Sequence, residues 1–216
     1  MRKSAVFMAV GIAAALAAQE HKAVAVEPEQ ALETLLEGNK RYTSSHLKHP
    51  HESAEWRHSI SRAQHPFATI LSCSDSRVPP ELIFDVGLGD LFVVRVAGNI
   101  ASDDVVGSLE YAAEHLGTTL ILVMGHQSCG AVQSTIAGGE PKTHIEHLTR
   151  AIEPAVTRAR QKEGDLVANA VRENVNLVVE QLRTSHPILA ELSAQGKLKV
   201  IGAVYDLDSG IVRLLP

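Results

Sequence analysis

Three short runs of apolar residues, at positions 67–71, 91–96 and 119–124, constrain this chain more than anything else in it. None alternates apolar with polar, so each reads as a strand covered on both faces, the signature of a parallel sheet. A fourth strand is expected at 197–204. The turn Asp208-Ser209-Gly210 then leads into a short strand at 211–215. Helical patterns lie between the strands, at 105–116, 130–137, 144–161, 165–183 and 187–194. In the fourth of these, Val171, Val175, Val178 and Leu182 form one apolar stripe. An earlier helix is expected over 29–42, where Ala31, Leu32, Leu35 and Leu36 recur at helical spacing. Strands alternating with helices give an α/β fold. Of the chain, 45% is apolar but only 4% aromatic, so its core must be aliphatic and rich in alanine.

The polar stretch 43–65 carries His46, His49, His51, His58 and His65. No His-x₃-His pair sits on a clear helix, so this reads as a solvated loop leading to a short helix rather than a metal-binding tract. The formal charge is −5 and no long basic run occurs, which argues against nucleic acid as a partner. No internal repeat and no second core is visible, and a single domain over 31–216 is expected.

The first residues read differently. Arg2-Lys3 precede an uncharged, largely apolar stretch, and Ala15-Leu16-Ala17 offers a small-residue cleavage site before Ala18. This is the pattern of a signal peptide over 1–17, followed by a flexible lead-in over 18–30. The apolar stretch is short for a bilayer span, so no stable membrane association is expected once it is removed. A periplasmic or secreted location follows as an expectation.

The chain has two cysteines, and both fall where a parallel sheet places its functional groups. Ligands of open α/β sheets gather outside the carboxyl ends of the strands. Cys73 and His126 each follow such an end, and Cys129 starts the next helix, where unpaired N–H groups favour a thiolate. Two thiolates and one imidazole give zinc three protein ligands, and a catalytic zinc keeps its fourth position open. Asp75 and Arg77, two and four residues after Cys73, would lie beside that position. There the carboxylate can accept a hydrogen bond from a reactive hydroxide and the guanidinium can clamp it. The plain alternatives are buried, inert thiols and a surface ion pair. In an oxidising compartment a Cys73–Cys129 disulfide is a further state that the same closeness permits.

Four ordered blocks, Cys73-Ser-Asp-Ser-Arg-Val-Pro, Val94-Arg-Val-Ala-Gly-Asn99, Gly107-Ser-Leu-Glu-Tyr-Ala112 and Gly125-His-Gln-Ser-Cys-Gly-Ala131, resemble the β-class carbonic anhydrases. Leu36-Glu-Gly-Asn-Lys-Arg-Tyr42 matches as well. The resemblance implies a sheet in the order 2-1-3-4 with an extra C-terminal strand, and one Zn²⁺ per chain held by Cys73, His126 and Cys129. It implies a catalytic dyad of Asp75 and Arg77, and reversible hydration of CO₂ to bicarbonate through zinc-bound hydroxide. It also implies a homodimer or homotetramer with the site opening at the dimer interface. The substrate pocket would be lined by Phe92, Tyr111, Ala97 and Gln64, the last contributed by the partner subunit. One subtype lets its dyad aspartate swing onto the metal, and carries Trp and Gly where this chain has Ile70 and Ser72. That departure predicts an open site. Two other functions stay open at this stage: hydrolysis of a CO₂-like sulfur compound such as COS or CS₂, and a non-catalytic zinc or redox-sensing role.

Overall fold

The computed structural model describes residues 26–139 and 143–216. The proposed signal peptide and most of the lead-in, up to residue 25, lie outside the described residues. Five strands form one sheet: β1 (Ala68–Ser72), β2 (Leu91–Arg95), β3 (Leu120–His126), β4 (Lys199–Tyr205) and β5 (Val212–Leu214). Their order is β2-β1-β3-β4-β5, with the first four parallel and β5 antiparallel to β4. This is the expected topology.

The strand burial follows from position in that order. Every residue of β1 and β3 is buried, as inner strands with helices on both faces require. Edge strand β2 is half-buried. Alternate residues of one strand feed opposite layers. Ile70, Leu122 and Met124 pack with Ala31, Leu35 and Phe84 on one face. Leu71, Ile121 and Val123 pack with Leu109, Val175, Val178 and Leu182 on the other. The stripe read from the sequence is therefore the sheet-facing side of its helix.

The helices are α1 (Pro28–Thr43), α2 (Ala54–Ser59), α3 (Pro80–Ile83), α4 (Asp103–Glu114), α5 (Gly130–Ala137), α6 (Ile145–Ala159), α7 (Leu166–Arg183) and α8 (Ile188–Ala194). Helix α1 begins at Pro28, inside the stretch assigned to the lead-in. A proline in the first turn loses no helical hydrogen bond and its φ suits the helix. Asp165 lies outside α7 as its N-cap, accepting from the Ala168 N–H at 2.6 Å. Two short pieces are not among the elements expected from the sequence: α3, and a single 3₁₀ turn at Ala97–Asn99. The histidine-bearing stretch is indeed a loop leading to the exposed helix α2. Within it His51 is a structural group, stacked on Trp56 and bonded to Asp90 at 2.8 Å. Among the described residues, no helix is long and apolar enough to cross a membrane.

Candidate metal centre

Sheet topology alone brings the three ligand candidates together. Cys73 follows β1, His126 is the last residue of the neighbouring β3, and Cys129 is the N-cap of α5. All three are buried, and their donor atoms lie within 4.8 Å of one another. Donors of one tetrahedral zinc sit roughly 3.5–4 Å apart, given Zn–S near 2.3 Å and Zn–N near 2.0–2.1 Å. Small adjustments would close the set on an ion. The cysteines are not joined as a disulfide.

Two observations fit a soft divalent metal to these residues. The first is His126. Its Nδ1 lies 2.9 Å from the Gln127 carbonyl, which can only accept, so Nδ1 carries the proton and Nε2 the lone pair. That Nε2 is fully buried and has no hydrogen-bond partner. A buried, unpaired nitrogen costs about 1–3 kcal/mol, a cost that metal ligation removes. The second is the sulfur pair. Cys73 is drawn well below the usual thiol range, first by a hydrogen bond from Cys129 and also by the N–H groups of Gly98 and Asp75. Cys129 is pushed up by that same hydrogen bond and by burial. A dication would take both as thiolates.

The dyad sits at the rim. Arg77 grips Asp75 in a fork, Nε to Oδ1 at 2.9 Å and Nη2 to Oδ2 at 2.8 Å, and the Arg77 N–H adds a third bond to Oδ1 at 2.9 Å. The Arg77 hydrogen bond holds the Asp75 carboxyl far below the ordinary range. Asp75 Oδ2 is also 3.8 Å from His126 Nε2, so the carboxylate borders the ligand triangle while both its oxygens stay with Arg77.

The four pocket candidates gather at the β2 edge. Phe92 lies on β2 and Tyr111 on α4, with ring centroids 6.3 Å apart. Ala97 opens the 3₁₀ turn that follows β2 and is half-buried. Gln64 and Tyr111 line one open hollow of about 480 Å³, together with Ile60, Ser61, Arg62, Ala63 and Leu116. That hollow contains none of Cys73, Asp75, Arg77, His126 or Cys129. Within one chain, then, Gln64 is not in the same hollow as the ligand triangle.

Sequence reading missed the groups that hold this site from behind. Arg95, the last residue of β2, donates from Nε to the Cys73 carbonyl at 3.0 Å and from Nη2 to the Asp75 carbonyl at 2.6 Å. The Gly98 N–H lies 3.3 Å from Cys73 Sγ. Gly98 has φ +74°, and a Cβ there would come within 2.6 Å of Ile152 Cδ1, so only glycine fits. Asn174, buried on α7, fixes the Gly98 carbonyl at 2.8 Å. The one available signal was the Val94–Asn99 block itself, in which only Ala97 carried an expected role.

Comparison with known proteins agrees with this geometry. The sequence profile of the family described as carbonic anhydrase matches residues 68–212. Carbonic anhydrase of Mycolicibacterium smegmatis is 37% identical over 191 residues, covering 87% of this chain and 93% of the relative. Carbonic anhydrase 2 of Mycobacterium tuberculosis is 37% identical over 187 residues, covering 85% and 90%. Among solved structures, the β-carbonic anhydrase CcaA superposes with a TM-score of 0.68 at 30% identity, covering 86% of this chain and 95% of its own. A tetrameric β-carbonic anhydrase of Sordaria macrospora superposes at 0.70, covering 85% and 96%, and at 23% identity it speaks for the fold alone.

Proposed function

The chain belongs to the β class of the carbonic anhydrase family, and from that premise we propose that it hydrates CO₂ reversibly on a single zinc ion held by Cys73, His126 and Cys129. The observation that carries the metal assignment is the buried, unpartnered His126 Nε2 facing two sulfurs within 4.8 Å. Two sulfurs and one nitrogen suit zinc, and three protein ligands leave a place for the reacting oxygen. Zinc held there would supply a nucleophile at neutral pH by lowering the pKa of water to about 7.

The chain's own residues do the rest. Asp75, kept ionised by Arg77, accepts a hydrogen bond from the nucleophile and aims its free lone pair at the carbon of CO₂. With both oxygens engaged by Arg77, Asp75 stays off the metal and the site stays open. Phe92, Tyr111 and Ala97 supply the apolar wall that excludes water from the substrate. We place Gln64 of a second copy in the same pocket. Support for a homodimer comes from edge strand β2, which among the described residues has a neighbour on one side only. A half-buried, apolar free edge is normally covered. Export through residues 1–17 is part of the same proposal.

Stopped-flow hydration of CO₂ by the purified protein, with zinc quantified, tests the reading. Cys73→Ser is expected to lose zinc and activity together. Full turnover in zinc-free Cys73→Ser would remove the ligand assignment. Light scattering of the eluting protein at twice the chain mass or more supports the oligomer, and a monomer rejects it.

A further inference from the structure

We propose that Arg95 is a positioning residue for the reaction, setting the metal-ligand sulfur of Cys73 and the carboxylate of Asp75 relative to each other through the backbone that carries both. The inference rests on the zinc-site reading above and deepens it.

The geometry is specific. The guanidinium spans two carbonyls two residues apart, those of Cys73 and Asp75, at 3.0 and 2.6 Å. Between them the chain leaves the end of β1 and must turn so that one side chain faces inward and the next but one faces the rim. Nothing in a strand ladder fixes such a turn. The ladder ends with the Val96 N–H bonded to the Ser72 carbonyl at 3.1 Å, one residue before Cys73. From there on, the neighbouring segment takes over. Arg95 holds the carbonyls of the turn and the Gly98 N–H holds the sulfur. Segment 95–98 is therefore a mould for residues 73–75, and Arg95 supplies its two strongest contacts.

Arginine is required for a physical reason. Two donors in one rigid plane can bridge two fixed acceptors, whereas a lysine ammonium on a flexible stem offers a single charged point. On the proposed reading, the site in front of the turn also collects two thiolates and a carboxylate. A cation behind the turn offsets that charge without touching the reacting atoms. Removing it frees the turn to shift. A displacement near 1 Å in a catalytic group costs about 10²-fold in rate. Loss of a group that orients a metal ligand costs about 10- to 100-fold in metal affinity.

The test uses full-length, zinc-loaded protein with Arg95→Gln and Arg95→Lys beside the parent. Thermal unfolding of each variant confirms that it is folded. Zinc release to excess chelator and steady-state hydration kinetics are then measured per zinc-loaded site. For Arg95→Gln the expected results are zinc release at least tenfold faster and kcat lower by tenfold or more with KM little changed. Arg95→Lys, which reaches one carbonyl, is expected to recover part of both. A folded Arg95→Gln with parental zinc release and parental kcat overturns the proposal. So does a variant whose only change is a lower unfolding temperature, since that is the mark of a merely structural contact. A parent protein that binds no zinc would instead overturn the metal-site reading, and the two failures are distinguishable.

Discussion

The side chain on which the proposed chemistry turns is Asp75, and its geometry follows from three bonds to one arginine. Asp75→Asn replaces one acceptor oxygen by a donor, so the fork from Arg77 is broken and the lone-pair acceptor facing the nucleophile is lost. The ligands are untouched. We expect Asp75→Asn to retain one zinc per chain and to lose about 10²-fold in kcat, the scale on which positioned acid–base groups act. Metal analysis alongside turnover checks this, and an undiminished kcat would take Asp75 out of the mechanism. At this scale the clustering of Cys73, His126 and Cys129 and the Asp75–Arg77 fork were legible as a candidate site, because Cys, His, Asp and Arg announce their chemistry by type and spacing. Arg95, Gly98 and Asn174 were not. They act on backbone carbonyls and on one sulfur, and a contact to a carbonyl leaves no pattern in the residue that receives it.

Helix α1 shows how one element is tied to the rest. Asn39, 5% exposed, donates to the carbonyls of Ile83 and Gly210 at 3.2 and 2.8 Å and accepts from the Val212 N–H at 2.9 Å. It thus joins α1 to the end of α3 and to the turn and strand that close the chain. Beside it, Tyr42 meets Tyr205 hydroxyl to hydroxyl at 3.3 Å. Asn39→Ala would strand two buried carbonyls and one N–H. At about 1–3 kcal/mol per buried unsatisfied group, partly relieved by water, a loss near 3 kcal/mol is expected. A lower urea midpoint at unchanged slope would register it, and an unchanged midpoint would show that α1 is held by apolar packing alone. The strands and long helices were readable from periodicity. Helix α3 and the 3₁₀ turn were not, because four- and three-residue pieces are shorter than any period that could reveal them. The Leu36–Tyr42 block was visible as a pattern, but its partners lie about 44 and 171 residues away in sequence.

Stability of the whole molecule should depend on pH through Asp85. This carboxylate is 3% exposed. Burial raises its pKa, but Arg41 and the N–H groups of Lys48 and His49 together outweigh burial and hold it below the ordinary carboxylate value. A group depressed in the folded state contributes stability that is present above its unfolded pKa, near 4, and lost as pH falls through the folded value. Unfolding free energy is therefore expected to decline on acidification below about pH 4.5, within the linkage range of a carboxylate. Asp85→Asn should be less stable at pH 7 and show a shallower acid decline. Denaturant titrations at several pH values read both, and parallel pH profiles for the two proteins would exclude Asp85 as the source. The α/β class and the parallel sheet were legible in the pattern of apolar runs and intervening helices, whereas the strand order came only with the resemblance to the family. The proposed supply of Gln64 by a second copy is a property of an assembly, and a single string of residues carries no direct trace of it.

Two glycines on adjacent strands, Gly125 of β3 and Gly202 of β4, form a notch that receives Val175 of α7. A methyl group at either would come within 2.6 or 2.7 Å of a Val175 methyl. Gly125 immediately precedes His126, so the helix rests directly on the backbone that aims the imidazole. Anyone engineering this enzyme for heat resistance by filling gaps under that helix faces an asymmetric landscape. Enlarging the notch residues would lift the helix and misdirect His126, the nitrogen donor of the proposed metal site, so gains in packing there would be taken out of turnover.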